Sequence, residues 1–194
     1  MKTNKNLTLP TTEDLEKELD RVKYNQRYRL VLKSTVYTLI TVAAVAVLVA
    51  TLWLPVLQIY GSSMTPTLET KDIVLTVKSS DMEQGDIVAF YYNNKILVKR
   101  VIAYAGDWVE IDKDGKVFVN SNPLPEPYLT ESAYGDTNIK MPYQVPDGKI
   151  FVMGDHRATS LDSRNTAVGC VSQEQIVGKI VFRLWPFDRM EQIS

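Results

Sequence analysis

Asp86-Ile87-Val88-Ala89-Phe90-Tyr91-Tyr92, then Asn93-Asn94, then Lys95-Ile96-Leu97-Val98-Lys99-Arg100-Val101-Ile102-Ala103-Tyr104, is the stretch that decides the fold of this chain. Two runs rich in β-branched and aromatic residues flank a pair of asparagines, which tolerate the positive φ of a tight turn. The pattern reads as an antiparallel hairpin with a two-residue loop. Outward from it the pattern repeats. Ile73-Val74-Leu75-Thr76-Val77 reads as a strand, and Trp108-Val109-Glu110-Ile111 and Lys116-Val117-Phe118-Val119 flank Asp114-Gly115 as a second hairpin. Lys149-Ile150-Phe151-Val152-Met153 is a further strand, and residues 178–184 form the last. Residues 121–147 hold five prolines, Pro123, Pro125, Pro127, Pro142 and Pro146. That is too many for paired central strands, so the segment reads as an excursion of loops. The expected fold is a mainly antiparallel β domain.

Before that domain lies a different kind of sequence. No charged residue occurs from Ser34 to Leu68, and Thr35 to Leu57 is mostly Val, Ala, Leu, Ile and Thr. Roughly 20 such residues at ~1.5 Å rise span a ~30 Å hydrocarbon core. Tyr37 and Trp53 mark its edges and Pro55 its stop. A cleavable signal peptide fits poorly, because the apolar run is too long and starts too far into the chain. Arg27, Arg29 and Lys33 precede the segment, whereas Glu69 is the first charge after it. The positive-inside bias therefore puts the N-terminus in the cytoplasm. Three parts are expected: residues 1–33, a cytoplasmic segment that is partly helical and disordered over 1–11; residues 34–57, a single transmembrane α-helix; and residues 58–194, an extracytoplasmic catalytic β-domain.

Composition removes several classes of function. The 194 residues carry a formal net charge of −1, which argues against a general nucleic-acid binder. Residues 1–33 hold eight basic and five acidic side chains, and the remainder 14 and 18. Cys170 is the single cysteine and His156 the single histidine. Neither an internal disulfide nor a cysteine- or histidine-rich metal site is expected. No metal or organic cofactor is called for.

Ser63, in Gly61-Ser62-Ser63-Met64-Thr65-Pro66-Thr67-Leu68, follows the apolar segment closely. A serine hydroxyl needs a base to act as a nucleophile near neutral pH. A Ser-His-Asp triad would have to use His156, beside Asp155. Lys99 is the stronger candidate. Leu97, Lys99 and Val101 share one face of their strand, and Val98 and Arg100 take the other. If the first face points inward, burial disfavours the ammonium and brings the lysine toward the range of a useful base. Alternation alone leaves open which face is inside. Residues 154–164, Gly-Asp-His-Arg-Ala-Thr-Ser-Leu-Asp-Ser-Arg, are dense in polar groups just after a strand. Such a loop could orient a base and brace it with an Asp–Arg pair. A solvated turn has the same composition.

Together these segments resemble the bacterial type I signal peptidases. Ser63-Met64-Thr65-Pro66-Thr67-Leu68 is similar to that family's nucleophile segment. Val98-Lys99-Arg100-Val101-Ile102 with Ala105-Gly106-Asp107 is similar to the segment bearing its general base. Gly154-Asp155-His156-Arg157, with Ser160 to Arg164, resembles the third, and Gly178-Lys179 and Trp185-Pro186 the closing pattern. The resemblance covers about residues 35–190 in order, anchor included. It implies an antiparallel β-fold carrying a Ser-Lys dyad, in which Ser63 attacks the scissile carbonyl and neutral Lys99 takes its proton. Ser160 would orient the Lys99 amine, Asp162 and Arg164 would form a supporting ion pair, and the Ser63 backbone N–H would serve the oxyanion hole. Gly61 stands where some members carry a hydroxyl donor, and His156 where asparagine is common. The implied substrates are signal-peptide-bearing precursors, with small residues at the first and third positions before the cut. Met64, Leu68, Leu97 and Val98 are the candidate pocket walls by position. Met64 and Leu68 could also join Trp53, Leu54 and Leu57 in an apolar surface against membrane lipid. Two rivals have the same outline: a self-cleaving Ser-Lys protease, and a non-catalytic anchored β-domain that assists surface-protein assembly.

Overall fold

The computed structural model describes residues 11–78 and 81–193; most of the segment expected to be disordered, residues 1–10, lies outside that range. The first unit, up to Val49, is built on helix α1, Thr12–Trp53. Thr11 caps it: its hydroxyl oxygen accepts the Asp14 N–H at 3.3 Å and donates to the Asp14 carboxylate at 2.6 Å. Glu13 and Asp14 sit in the first turn, where the N-terminal end of the helix dipole favours negative charge. One unbroken helix thus covers the segment expected to be partly helical and most of the expected anchor. The uncharged part, Ser34 to Trp53, is about 30 Å long at ~1.5 Å per residue. It is apolar on every side, and its Val, Leu and Ile side chains as far as Val49 are exposed. Such a stripeless apolar helix needs a hydrocarbon environment rather than a packed core. Two of its hydroxyls are satisfied within the helix, Thr38 and Thr41 donating to the carbonyls of Ser34 and Tyr37, each at 2.9 Å. Among the described residues it is the one helix long and apolar enough to cross a membrane.

The second unit, from Ala50, is mostly antiparallel sheet. Its strands are β1 (Val56–Gln58), β2 (Ile73–Val77), β3 (Ile87–Tyr92), β4 (Lys95–Tyr104), β5 (Trp108–Ile111), β6 (Val117–Val119), β7 (Asn122–Pro123), β8 (Tyr143–Gln144), β9 (Lys149–Met153), β10 (Val171–Ser172), β11 (Ile176–Trp185) and β12 (Glu191–Gln192). The larger sheet runs β1-β2-β11-β3-β4-β9-β10 with β12 on β11, and the smaller β7-β6-β5-β8. Tyr92 faces Lys95 across Asn93-Asn94, and Asn93 takes φ 51°, as the two-residue turn requires. The second hairpin has a wider loop, because its returning strand starts at Val117; Asp112 N–H bonds the Lys116 carbonyl at 3.0 Å across it. β11 is longer than expected and is followed by β12. The proline-rich excursion contains two short strands, with Pro123 on the edge of the smaller sheet where no ladder hydrogen bond is lost.

Both faces of the β3–β4 hairpin are covered. Ile87 packs with Ile59, Met64, Leu68, Val74 and Ile180. Val88 and Phe90 pack with Val101 and Val152, and Ile102 joins Val109, Ile111, Val117 and Phe151 of the cluster that includes the smaller sheet. The expectation that one face of β4 would be outside is therefore corrected. Lys99 and Arg100, on opposite faces, are 2% and 1% exposed.

Candidate active site

Ser63 lies in the tight loop between β1 and β2. Thr65 closes that loop by donating from its N–H and its hydroxyl to the Ser62 carbonyl, at 3.1 and 2.8 Å. Met64 and Leu68 fix it from below: both are buried in the core, and the Leu68 N–H bonds the Met64 carbonyl at 2.8 Å. Gly61 enters the loop at φ +92°, a conformation that costs a residue with a Cβ but not glycine. Thr70 then holds the Gly61 carbonyl at 3.0 Å. From the other side the His156 N–H donates to the Ser63 carbonyl at 3.0 Å. The nucleophile candidate is thereby held at its backbone before its hydroxyl is considered.

Lys99 Nζ is hydrogen-bonded to Ser63 Oγ at 2.6 Å. Burial pulls the lysine down from 10.5 to about 8, against the opposing fields of Asp162 and then Asp155, with a smaller lowering from Arg164. The dominant cause is desolvation, which penalises the ammonium and not the amine.

The loop of residues 154–164 is no solvated turn. Arg164 grips Asp162 in a fork, Nε to Oδ1 at 2.8 Å and Nη2 to Oδ2 at 2.9 Å, with both side chains buried. Burial alone would raise the Asp162 carboxyl. The Arg164 hydrogen bonds and charge, with the Gly154 N–H at 3.0 Å, reverse this and hold it low. Ser160 is buried, but among the described residues its hydroxyl makes no hydrogen bond of ordinary geometry, to Lys99 or otherwise. It lies near enough to Asp162 for its dipole to favour the carboxylate. The expected Ser160–Lys99 hydrogen bond is thus not formed here. His156 turns its ring to Thr159, Nδ1 and Oγ1 being 2.5 Å apart, and its ring makes no hydrogen bond to Ser63 among the described residues.

Gly154 is where the loop and the nucleophile meet. A Cβ there would overlap the Ser160 hydroxyl and stand 2.5 Å from the Ser63 carbonyl oxygen. Gly154→Ala should therefore push Ser63 off its position. Its kcat/KM on a precursor peptide is expected to fall about 100-fold, with the β signature in circular dichroism retained, since misplacing a reacting group by about 1 Å costs that much.

Sequence reading missed a second buried pair. Arg100 donates to Asp155 from Nε at 2.9 Å and Nη2 at 2.8 Å, and to the Gly85 carbonyl from Nη1 at 2.6 Å. The Thr67 hydroxyl donates to the same Asp155 at 2.5 Å. Asp155 thereby ties the Lys99 strand, the nucleophile loop and its own loop together. The signal was available, because an arginine inside Val98–Ile102 and an aspartate just after a buried strand must find partners if buried.

An open cleft of about 710 Å³ leads to Ser63 and Lys99, with Ile59, Tyr60 and Met64 on one side and Ile96, Leu97 and Val98 on the other. Met64, Leu97 and Val98 line it as expected. Leu68 does not: it packs behind the cleft at 0% exposed, against Val74 and Ile180. Met64 and Leu68 are likewise too buried to form a surface against lipid, because they anchor the nucleophile loop. β9 pairs with residues 100–104 of β4, which leaves residues 95–99 unpaired on their cleft side among the described strands. No group of three His, Cys, Asp or Glu that could hold a metal occurs among the described residues.

Comparison with known proteins bears on the whole of this region. Residues 32–185 match the family described as "Signal peptidase, peptidase S26". The chain is 37% identical over 143 residues to "Signal peptidase I" of Bacillus amyloliquefaciens, covering 68% of this chain and 76% of that one. It is 38% identical over 146 residues to "Signal peptidase I S" of Bacillus subtilis (strain 168), covering 69% and 78%. It is also 38% identical over 154 residues to "Signal peptidase IB" of Staphylococcus aureus, covering 69% and 78%. The matched span includes the apolar segment and every loop that meets at Ser63, and the chain belongs to the signal peptidase family, peptidase S26.

Proposed function

We propose that this protein is a membrane-anchored serine endopeptidase that removes signal peptides from exported precursors, with Ser63 and Lys99 as its catalytic dyad. The observation that carries the reading is a lysine 2% exposed, lowered to about 8, and 2.6 Å from a serine hydroxyl at the head of a cleft. Ser63 Oγ attacks the scissile carbonyl as its proton passes to the neutral Lys99 amine. The resulting ammonium gives that proton to the leaving amine, and Lys99 then activates the water that hydrolyses the acyl-enzyme. The Ser63 backbone N–H, which has no hydrogen-bond acceptor among the described residues, can receive the oxyanion. Gly61 offers no side chain for a second donor; the exposed Ser62 hydroxyl is the adjacent group. Asp162 and Arg164 brace the loop behind the lysine, and Ser160 fills the space between Gly154 and that pair.

The unpaired side of residues 95–99 suits an extended precursor chain that adds to β4 through its backbone. Met64, Leu97 and Val98 then stand where its side chains enter, which supports a preference for small ones. The apolar helix supports anchoring in lipid. Arg27, Arg29 and Lys33 on its N-terminal flank support a cytoplasmic N-terminus, with residues 1–33 inside, 34–57 as the span and 58–194 outside. The nucleophile follows the end of the helix by ten positions, so enzyme and precursor share one membrane surface.

The pH profile tests the dyad. Only the neutral amine accepts the serine proton, so kcat/KM on a precursor peptide should climb about tenfold per pH unit and level off above about 8. A limb near pH 6.5, the ordinary range of a histidine, would sink the lysine mechanism. Labelling of Ser63 by a serine-directed acylating reagent separates this reading from the non-catalytic one. Cleavage of one internal bond in the purified protein, with precursors untouched, would favour self-cleavage.

A further inference from the structure

The proline-rich excursion of residues 121–147 enters the mechanism above at no point, yet it sends two side chains into the buried charge network. Glu126 accepts both amino groups of Arg157, Nη1 at 3.0 Å and Nη2 on its other oxygen, while Arg157 Nε donates to the Gly154 carbonyl at 3.1 Å. Tyr128 donates its hydroxyl to Glu126 Oε1 at 2.9 Å. The Arg100 guanidinium lies over its ring, 3.8 Å from Cζ to the ring centroid. Burial, and then the Glu126 carboxylate, keep that hydroxyl protonated well above its ordinary range.

The geometry points to Tyr128 as a positioning residue for Lys99: its ring presses Arg100 onto Asp155 and thereby limits the negative charge that Lys99 meets. This rests on the reading of Lys99 as the base. Arg100 already spends its in-plane N–H groups on Asp155 and the Gly85 carbonyl. What remains is the face of the guanidinium, and an aromatic ring covers that face with an attractive quadrupole while keeping water away. Water there would screen and loosen the Arg100–Asp155 fork. The groups that act on Lys99 are the Ser63 hydroxyl of the nucleophile loop, which is hydrogen-bonded to it, and the charges of Asp162, Asp155 and Arg164 in the loop after β9. Asp162 keeps its own arginine when Tyr128 changes, so Asp155 is the charge that becomes more strongly felt. A stronger field from Asp155 holds the ammonium longer.

The test uses the full chain in detergent and a precursor-derived peptide with alanines at the first and third positions before the cut. Tyr128→Leu should move the lower limb of the kcat/KM profile upward by about half to one pH unit, because a nearby carboxylate favours the charged lysine. The rate at pH 7 falls about three- to tenfold and recovers above pH 9. Tyr128→Phe keeps the ring and should keep the wild-type limb. If Tyr128→Leu does not fold, pentafluorophenylalanine at position 128 keeps the volume and removes the negative face, and should move the limb in the same direction. A limb that stays put in a folded Leu or fluorinated variant overturns the inference, as does a fall in thermal midpoint with a uniformly lower rate. Absence of a limb near pH 8 in the wild type would instead strike the dyad reading itself.

Discussion

Lys99→Met is expected to abolish precursor cleavage and to make the protein more stable at neutral pH. The two side chains are similar in length, and methionine fills irregular buried space without a charge. Removing a general base that is also the proton donor to the leaving amine should cost at least about 1,000-fold in rate. The stability effect comes from the same burial. The folded protein releases the Lys99 proton near pH 8, whereas an unfolded chain holds it to about 10.5. Between those values the unfolded chain binds more protons, so the contribution of this group to stability rises with pH through the window. Below pH 8 both states are protonated and the folded state carries the full penalty. A gap of that size corresponds to about 3 kcal/mol. Methionine removes the penalty, so the variant should gain about 1–3 kcal/mol at pH 7, and the gain should shrink toward pH 10. Denaturant titrations at the two pH values, beside peptide cleavage, check both halves. Retained cleavage would remove Lys99 from the chemistry, and a loss of stability at pH 7 would mean that the buried lysine supports the fold rather than weakening it. His156→Ala should stay within a few-fold of wild type, since its ring faces Thr159.

A residue that weakens its fold and enables its reaction is hard to read from sequence, and β4 shows why. The hairpin itself was legible, since alternating apolar runs around Asn93-Asn94 admit few other structures. The period-two argument failed at its next step because it supposes one wet face. β3 and β4 lie in the middle of a sheet covered on both sides, so adjacent residues of opposite orientation are both buried. The short strands β1, β7, β8, β10 and β12, of two or three residues, carry no period and were invisible. Ser63, Lys99, Asp162 and Arg164 could be named from the order of their segments. Arg100 and Asp155 each carried the mark of a charge that needs a partner if buried, but their pairing was not legible, because 55 positions separate them and only packing brings them together. The same holds for Leu68, whose place beside the nucleophile in sequence says nothing of whether it faces the cleft or the core.

Asp155→Ala should give the largest loss of stability of any single change at this site. Its carboxylate takes two hydrogen bonds from Arg100 and one from Thr67, and no part of the pair reaches solvent to any extent: the two side chains are 2% and 0% exposed. Deleting one partner of such a pair leaves the other charge uncompensated and costs about 3–5 kcal/mol. Against a total of about 5–15 kcal/mol that is a large share, and the thermal midpoint should fall accordingly. Replacing both Arg100 and Asp155 by leucine should recover much of the stability, because a buried pair exchanged for apolar groups is often close to neutral. It should not recover cleavage, since Thr67 and the nucleophile loop would still have lost their tie. The pH profile separates position from charge. Asp155 favours the Lys99 ammonium, so the alanine variant should deprotonate its lysine more readily and shift the lower limb down, even as its limiting rate falls. That direction is opposite to the one expected for Tyr128→Leu, where Asp155 stays and loses part of its neutralisation. Two variants that move one limb in opposite directions would locate its control in the Arg100–Asp155 pair; a shift of the same sign in both would place it elsewhere.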